Sequence, residues 1–486
     1  MTTTALLSFD TDRIKDYVFA SDALRDIRGA SSILDDLNRV RMRALVGGEC
    51  AFASGGGGLF AVPAADADAL IARVRRAYSD ATGGAATITG VALPLPEGFD
   101  LEQSDIRPLW RRLGHTMAAQ KSRTPLFRTS ISHSLLRYAD GTSGAYAAVR
   151  DTAAREQLIS LADALKRKRN RTLHNLAHPE DFDAIAEGST PSGYFALLVA
   201  DGDNMGRVLE ACATFRQIGA MATALEETLQ AVLAEATTAL LPTQFDRLLL
   251  GGDDVELAVP AQYGLPVALT LAQAFPRRIK ERTGKELTLS VAVVWAHMRF
   301  PFAAWRELAE STLQFTKQAA ALRGLPGGLI NFLVVSSANH LRFKDFYADH
   351  LVSREPMANG TEECIERTLR PYSPEMLQRL IEYRTTQLAH MPRSKLAALQ
   401  QAVFRPSSRQ AMLDALHILV QWRGQQPREA IQQLVIDLTD GSQRQLMFPF
   451  IRTPANAGAV IYRTPLADLA ELWDFIPGGS DADGVR

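Results

Sequence analysis

Four aspartates in two short motifs are the residues of this 486-residue chain best suited to chemistry. Asp201-Gly202-Asp203 follows an apolar run, and Gly251-Gly252-Asp253-Asp254 begins 50 residues after Asp201, between two more apolar runs. If these runs are strands of one sheet, the first strand end and the hairpin turn lie about 5 Å apart. Carboxylates gathered there raise one another's pKa unless cations neutralise them, and Mg²⁺ or Mn²⁺ prefers such oxygen ligands. The motifs therefore predict two metal ions held by Asp201, Asp203, Asp253 and Asp254.

A pair of metal ions on such carboxylates predicts nucleotidyl transfer. Two ions about 4 Å apart can activate a ribose 3′-hydroxyl and stabilise the pyrophosphate that leaves an α-phosphate. Polymerases and nucleotide cyclases carry out this reaction. We therefore predict that Asp201, Asp253 and Asp254 are the catalytic residues.

Residues beside the aspartates are predicted to contact the nucleotide. Gly251 and Gly252 allow a tight turn, and Gly202 leaves backbone room for the approach of a triphosphate. Asn204 directly follows the first motif and belongs to the same predicted nucleotide site. Lys317, on a predicted helix before the last strand, is expected to bind the β- and γ-phosphates as a point charge.

The elements that must position these motifs follow from the hydrophobic pattern between residues 194 and 335. Short apolar runs bounded by Gly, Pro or Asp indicate strands, and longer stretches with helical periodicity indicate helices. The order is strand, helix, hairpin, helix, strand, followed by one more helix and strand. The predicted strands are 194–200, 245–250, 255–259, 287–295 and 329–335, and the predicted helices are 215–240, 266–283 and 302–322.

The same order of elements occurs nearer the amino terminus. Asp10 lies 45 residues before Gly55 there, close to the spacing of 50 between Asp201 and Gly251. The hairpin turn of this copy contains glycines and no aspartate. These features predict an internal duplication with one degenerate and one active copy, and a reaction site in the cleft between them. The predicted strands are 5–9, 50–53, 59–62 and 86–93, and the predicted helices are 21–45, interrupted near Gly29, and 65–79.

The predicted fold class is α+β, with two ferredoxin-like palm domains of the polymerase type. The carboxyl-terminal prediction rests on the helix-start signal Ser373-Pro374-Glu375 and on helical apolar periodicity through 412–422 and 430–438. The four predicted regions are a degenerate first palm (1–98), a mostly helical inter-palm region (99–190), a catalytic second palm (191–338) and a helical domain (339–486).

The overall charge is nearly balanced, since 53 basic and 54 acidic residues leave a net charge of −1. This balance argues against a global basic surface that binds nucleic acid nonspecifically. One basic run stands out, and it has two interpretations: a solvated helix end, or a contact to phosphate or RNA. The run consists of Lys166, Arg167, Lys168, Arg169 and Arg171.

The cysteines and the apolar segments bear on compartment and metal content. Cys50, Cys212 and Cys364 lie far apart, which argues against a disulfide framework and against a zinc site. The sequence shows no secretion signal and no window of about 18 uninterrupted apolar residues. We therefore expect a cytoplasmic protein with no zinc and no membrane partner.

In combination, the motifs resemble those of the large, polymerase-like subunit of type III CRISPR effector complexes, which contains two palm domains. The resemblance covers about residues 5–335 and rests on I-K-D-Y-V-F at 14–19, R-D-I-R-G-A-S at 25–31, D-G-D-N-M-G at 201–206 and L-G-G-D-D at 250–254. In that family the second palm converts ATP into cyclic oligoadenylate, a second messenger in antiviral defence, usually after the complex binds target RNA. The resemblance implies ATP as substrate, and other subunits with guide and target RNA as partners.

The resemblance also implies that the first palm holds a second ATP. Arg28, Gly29 and Ser31 are its candidate contacts, and the alternative is that they belong to a kinked helix packed on its own sheet. Two family features are missing from this sequence: the HD nuclease domain and the cysteine-rich zinc element between the palms. Helix-like sequence at 99–190 stands in place of the zinc element. We therefore expect a compact or divergent member of the family.

Two other functions remain open. One is a cyclase that acts alone and makes a cyclic dinucleotide, as diguanylate cyclases do with a similar fold. Residues 251–256 read G-G-D-D-V-E, however, and differ from the G-G-D/E-E-F of those enzymes. The other is a non-catalytic scaffold subunit of a ribonucleoprotein complex, whose palms bind nucleotide or RNA. The intact set of carboxylates argues against a scaffold, because buried aspartates serve no packing purpose.

Overall fold

The described part of the chain contains a four-stranded sheet, two five-stranded sheets and a two-stranded ribbon, with helices packed around them. The structure is a computed structural model. None of the helices in the described ranges combines the length and the apolar character that crossing a bilayer requires. The structure describes residues 4–123, 149–151, 157–173, 176–335, 340–356, 362–422, 426–438, 445–454 and 460–477.

The first palm is an antiparallel sheet between two layers of helices. Its elements are β1 (Thr4–Asp12), α1 (Ile14–Val18), α2 (Leu24–Asp35), α3 (Met42–Val46), β2 (Glu49–Ser54), β3 (Gly57–Pro63), α4 (Ala67–Thr82) and β4 (Thr87–Pro94). The strand order is β2-β3-β1-β4. Leu7 and Phe9 of β1 pack in one core with α2 and α4, whereas Leu6 packs in the core on the opposite face. This alternation is the period of two that a strand imposes.

The inter-palm region covers the first palm from two sides. Its described elements are α5 (Arg107–Arg123), β5 (Val149–Asp151), β6 (Gln157–Ile159), α6 (Leu161–Thr172) and α7 (Phe182–Glu187). Leu113 and Met117 of α5 pack on the sheet face opposite α2 and α4. Helix α6 crosses α2 instead. The prediction of a mostly helical region is therefore incomplete, because β5 and β6 form an antiparallel ribbon.

The second palm is a five-stranded sheet with the order β11-β10-β7-β9-β8. Its elements are β7 (Tyr194–Asp203), α8 (Met205–Ala211), α9 (Phe215–Ala236), β8 (Asp246–Gly251), β9 (Asp254–Pro260), α10 (Gly264–Thr283), β10 (Thr288–His297), α11 (Phe302–Arg323) and β11 (Ile330–Val334). Strand β7 is apolar without alternation because both of its faces are buried. Ala196 and Leu198 pack on the side of α9 and α10, and Phe195 and Leu197 pack in the core that contains α2 and α11.

The two palms share details that confirm the predicted duplication of element order. In each domain the first strand lies between the last hairpin strand and the strand after the second long helix. Each hairpin also has a register shift at the same distance before its turn, at Cys50/Phe52 and at Arg247/Leu249. The predicted helix break near Gly29 is wrong, since α2 continues to Asp35.

The carboxyl-terminal region combines helices with a sheet. Its described elements are α12 (Phe343–Phe346), β12 (Val352–Pro356), β13 (Glu362–Glu366), α13 (Pro374–Thr385), α14 (Arg393–Val403), α15 (Ser408–Gln421), α16 (Gln426–Asp437), β14 (Gln445–Met447), β15 (Phe450–Pro454), β16 (Val460–Arg463) and α17 (Leu466–Leu472). The predicted helices are present, and the sheet with the order β12-β13-β16-β15-β14 was not predicted. Leu377 and Leu380 of α13 share a core with α10, so this region packs directly on the second palm.

Candidate active site

The end of β7 meets the turn between β8 and β9, as the sequence predicts. Asp201 and Asp253 share a hydrogen bond between their carboxyl groups. Gly202 makes this approach possible, because a Cβ added there would lie 3.1 Å from the Cβ of Asp253 and would overlap the side chain of Met205. The space at Gly202 is therefore filled by protein, and the predicted backbone room for a triphosphate at this residue is wrong.

The carboxylates at this turn disturb one another's ionisation. Burial raises the pKa of Asp253 to about 7, helped by the charge of Asp201, by their shared hydrogen bond and by the charge of Asp254. Burial also raises the pKa of Asp254, and the ammonium of Lys15 opposes that rise. A carboxyl group with a pKa near neutrality beside a second carboxylate is typical of functional sites.

Lys317 lies in the site, but its partner is a carboxylate. Its Nζ donates hydrogen bonds to Asp201 and, at 2.8 Å, to the carbonyl oxygen of Gly202. The ammonium therefore offsets the charge of Asp201. Binding of the β- and γ-phosphates by Lys317 stays a prediction.

Asp203 is held by other hydrogen bonds, and Lys317 Nζ lies 3.9 Å from its Oδ1; its role as a metal ligand stays a prediction. Its carboxylate accepts hydrogen bonds from Thr288 Oγ1 at 2.8 Å, from Ser290 Oγ at 2.9 Å and from the backbone N–H of Gly328 at 2.8 Å. Residues two apart on a strand share a face, so Asp203 lies on the same face of β7 as Asp201. Its role is to join β7, β10 and the turn before β11.

The remaining carboxylates fit a cation by chemistry. Across the described ranges, no group of three or more His, Cys, Asp or Glu side chains is arranged as a metal site. The hydrogen-bonded pair of Asp201 and Asp253, however, has hard oxygen donors whose mutual repulsion a divalent cation would relieve. Asp254 follows directly in the turn. These three residues would hold Mg²⁺ or Mn²⁺.

The hairpin turns of the two palms touch each other. A Cβ added at Gly55 would lie 2.5 Å from Cα of Gly252 and 3.2 Å from the carbonyl carbon of Gly251. Gly252 has a φ of 64°, which glycine adopts without strain. Gly251 and Gly252 therefore serve the turn and the contact between palms. Asn204 also has a positive φ, of 61°, and begins α8 directly after β7.

A cavity of about 510 Å³ opens beside this contact. Both palms and α5 contribute to its walls. Asp253 and Gly252 line it from the second palm, Asp10 and Gly55 line it from the first, and Trp110 lines it from α5. The predicted cleft between the two palms is therefore present, with one candidate catalytic carboxylate in its wall.

The equivalent carboxylates of the first palm bind a lysine. Lys121 of α5 lies 2.7 Å from Asp10 and 3.2 Å from Asp12. Asp12 also accepts hydrogen bonds from Thr87 and Thr89 on β4, as Asp203 does from the matching strand of the second palm. The hairpin turn of the first palm, at residues 55–58, contains only glycine and so offers no carboxylate to complete a metal site.

Arg28, Gly29 and Ser31, predicted to contact a second ATP, do not line the cavity. Arg28 is buried and bonds Asp246 of β8, with 2.8 Å between Nε and Oδ2. Its prediction as a nucleotide contact is wrong, because its guanidinium joins the two palms. Gly29 faces the backbone of Lys166, and Ser31 is half-buried on the same helix.

Gly29 lets α6 cross α2 closely, so a larger residue at this position should lower the stability of the fold. A Cβ added there would lie 2.7 Å from the carbonyl carbon of Lys166. We expect Gly29→Ala to lower the free energy of unfolding by about 2 kcal/mol, since the helices must separate to accept the methyl group. Gly114→Ala is the matched control: Gly114 lies inside α5 with open space around its Cα, and should gain about 0.5 kcal/mol. Urea unfolding measures both, and equal stabilities would contradict the close crossing.

Two members of the basic run are buried where α6 packs on α2 of the first palm. Lys166 is 1% exposed, with Nζ 3.1 Å from Asp163, and Arg167 is 4% exposed, with Nε 3.0 Å from Asp26. The predictions of a solvated helix end and of an RNA contact are both wrong for these two residues. Buried charges are paired in this way because an unpaired one is costly.

The other three members of the run lie nearer the surface. Arg169 is half-buried and donates a hydrogen bond from Nε to Ser32 at 2.9 Å. Lys168 and Arg171 are exposed. A phosphate or RNA contact stays a prediction for these residues.

The raised pKa of Asp253 makes stability depend on pH. Its folded-state pKa of about 7 lies above the ordinary value of 3.8, so the folded protein binds the extra proton between these pH values. The free energy of unfolding therefore falls as pH rises through this window. In EDTA, we expect wild type to lose on the order of 2 kcal/mol there relative to Asp253→Asn, after allowance for solvent screening. Thermal unfolding across the window tests this, and parallel curves would contradict it.

The protein has two palm domains of the polymerase and cyclase type, and the second palm contains the paired carboxylates. Residues 194–323 match the family model described as Cas10/Cmr2, second palm domain. Over these residues the chain is therefore similar to the second palm domain of Cas10/Cmr2 proteins. No curated protein sequence matches the chain.

Solved structures support the same fold along most of the chain. The Csm1-Csm4 cassette in complex with cA4 has a TM-score of 0.56 and 13% identity, and the match covers 90% of this chain and 69% of that one. Csm1 of T.onnurineus has a TM-score of 0.54 and 13% identity, with 89% and 67% covered. The cassette with one ATP also gives 0.54 and 13%, with 90% and 70% covered. At this identity the likeness shows the fold.

Proposed function

We propose that this chain is a nucleotidyltransferase that converts ATP into a cyclic oligoadenylate-type second messenger in CRISPR-linked antiviral defence. The observation that carries the proposal is the hydrogen-bonded pair of Asp201 and Asp253, with Asp253 in the wall of the cavity between the palms. The comparisons support the choice of nucleotide, because the similar Csm1-Csm4 cassettes were solved in complex with cA4, AMPPNP and ATP.

The reaction joins a ribose 3′-oxygen of one nucleotide to the α-phosphorus of another. The new bond forms as the bond from that phosphorus to the bridging oxygen breaks, and pyrophosphate leaves. Two Mg²⁺ or Mn²⁺ ions, when bound, supply the charge that activates the hydroxyl and stabilises the leaving group. Asp201, Asp253 and Asp254 would hold these ions through their carboxylate oxygens, and the proton of the hydroxyl passes to water. Lys317 borders the site and carries a charge for the triphosphate.

The position of the cavity favours joining nucleotides over copying a template. Its walls come from both palms, so two nucleotides can face each other within one chain. Holding both reactants in this way replaces an encounter in solution with a reaction inside one complex. Other subunits and guide or target RNA belong to the proposal as partners, in line with the Csm1-Csm4 composition of the similar structures.

The test is incubation of the purified protein with ATP, GTP, CTP or UTP and Mg²⁺ or Mn²⁺, followed by mass spectrometry. We expect cyclic oligoadenylate from ATP alone, with or without added RNA. A product limited to rings of two nucleotides would favour the cyclic dinucleotide synthase. No product under any condition, together with recovery of bound RNA or subunits, would favour the scaffold.

A further inference from the structure

A lysine of the first palm reaches the catalytic turn of the second. Lys15 Nζ lies 2.8 Å from Glu310, 3.5 Å from Asp254 and 3.8 Å from Glu256. All three carboxylates belong to the second palm, whereas Lys15 lies on α1. Nothing in the spacing of the aspartates predicts this residue.

The contact between the hairpin turns explains why Lys15 is aimed at Asp254. Strand β1 ends beside the first-palm turn, where the N–H of Thr11 donates to the carbonyl oxygen of Gly56 at 2.7 Å. Ile14, the first residue of α1, fills the space beside Gly56. The neighbouring Gly55 touches Gly252, two residues before Asp254. Helix α1 is therefore held against the turn that carries the candidate catalytic residues.

Arg306 is a second cation beside the carboxylates that surround Lys15. Glu256 is fully buried, and Arg306 binds it through Nε at 3.0 Å and Nη2 at 3.2 Å. Arg306 also binds Glu310 at 2.7 Å. Without Lys15, this guanidinium would face the charges of Glu256, Glu310 and Asp254 alone.

The candidate catalytic carboxylates therefore have a lysine on each side, and the two lysines come from different domains. Lys317 of the second palm binds Asp201, and Lys15 of the first palm lies beside Asp254. A carboxylate next to a fixed cation on a rigid element loses rotamer freedom, which improves the precision of the site around it. The first palm thus contributes a charged side chain to the catalytic turn as well as part of the cavity wall.

We propose that Lys15 is a positioning residue, through which the first palm fixes Asp254 in the active site of the second. The inference rests on the proposed nucleotidyl transfer and adds a requirement to it. Catalysis then needs the two palms docked through their turns, although the first palm has no catalytic carboxylate of its own.

The experiment compares Lys15→Met, which removes the charge, with Lys15→Arg, which keeps it. We expect Lys15→Met to lower kcat by about tenfold with little change in KM for ATP, because it disturbs a catalytic group and no substrate contact. Lys15→Arg should restore at least about a third of the wild-type kcat. Lys280→Met is the matched control, since Lys280 pairs with Glu286 on the exposed surface of the second palm. Lys15→Gln replaces Lys15→Met if that variant does not fold.

Hydrogen exchange provides a measurement independent of turnover. Amides of residues 251–254 should exchange about threefold faster in Lys15→Met than in wild type or Lys280→Met. An active wild type with unchanged kcat in Lys15→Met, or an arginine variant as slow as the methionine variant, would overturn the inference and leave the proposed function intact. If wild type makes no product from any nucleotide, the proposed function fails. Equal exchange of residues 251–254 in Lys15→Met and wild type would separately overturn the role of Lys15.

Discussion

Asp253→Asn is expected to lower the rate of nucleotidyl transfer from ATP by about a thousandfold, because the neutral amide cannot hold a metal ion as a carboxylate does. Asparagine keeps the shape of the side chain and can still hydrogen-bond Asp201. Stability without metal should not fall, since the raised pKa of Asp253 shows that its charge is unfavourable in the fold. Steady-state product formation by mass spectrometry measures the loss.

Asp203→Asn is the matched control, because it changes an aspartate of the same D-G-D motif. Its three donors, Thr288, Ser290 and the N–H of Gly328, lose charge-assisted partners. We expect a loss of about 2 kcal/mol in the free energy of unfolding, and a much smaller loss of activity than for Asp253→Asn, at a temperature where both proteins are folded. Equal losses of activity in the two variants would place Asp203 in the metal site.

The second palm could be predicted from the sequence because its strands are buried on both faces. Such strands are uninterrupted apolar runs, and the turns between them contain Gly and Asp, so both signals agree. Strand β7 was predicted at 194–200, whereas in the structure it continues to Asp203. The extension includes the D-G-D motif itself, whose polar residues conceal the continuation of the strand.

The contacts between elements could not be predicted, because they depend on which helices cross. Arg28 and Arg167 carry charges that are typical of surfaces, yet α2 and α6 bury both against partners distant in the chain. Asp246 lies 218 residues from Arg28, so no local spacing relates the two. The role of Gly29 at the crossing of α2 and α6 could not be predicted either, because a close helix crossing leaves no periodic pattern in a single sequence.

The carboxyl-terminal sheet was missed for a different reason. Its strands β12 and β13 read V-S-R-E-P and E-E-C-I-E, without the alternation or the apolar run that indicates a strand. Its outer strand β14 has three residues. The neighbouring helices, with strong apolar periodicity and a Ser373 cap, were predictable because helix signals are local.

Arg28→Met is expected to lower the free energy of unfolding by about 3 kcal/mol, because it leaves Asp246 buried without its cation. Arg28 and Asp246 are both largely buried, and the guanidinium also donates to the carbonyl oxygen of Pro179 at 2.8 Å. Arg216→Met is the control, since Arg216 pairs with Glu102 on the surface, and it should change stability by about 0.5 kcal/mol or less. Urea unfolding compares the two variants.

A double variant separates the role of the charge pair from that of packing. Replacing both partners of a buried ion pair with apolar residues of similar volume is often neutral, whereas removing one partner leaves an uncompensated charge. We therefore expect Arg28→Met/Asp246→Leu to recover most of the stability lost in Arg28→Met. If the double variant is as unstable as the single one, the stability comes from the bonds of Arg28 to Pro179 and Asn170 of the inter-palm region, and the pair with Asp246 contributes little. Recovery would show instead that Arg28 is needed because Asp246 is buried at the junction of the two palms.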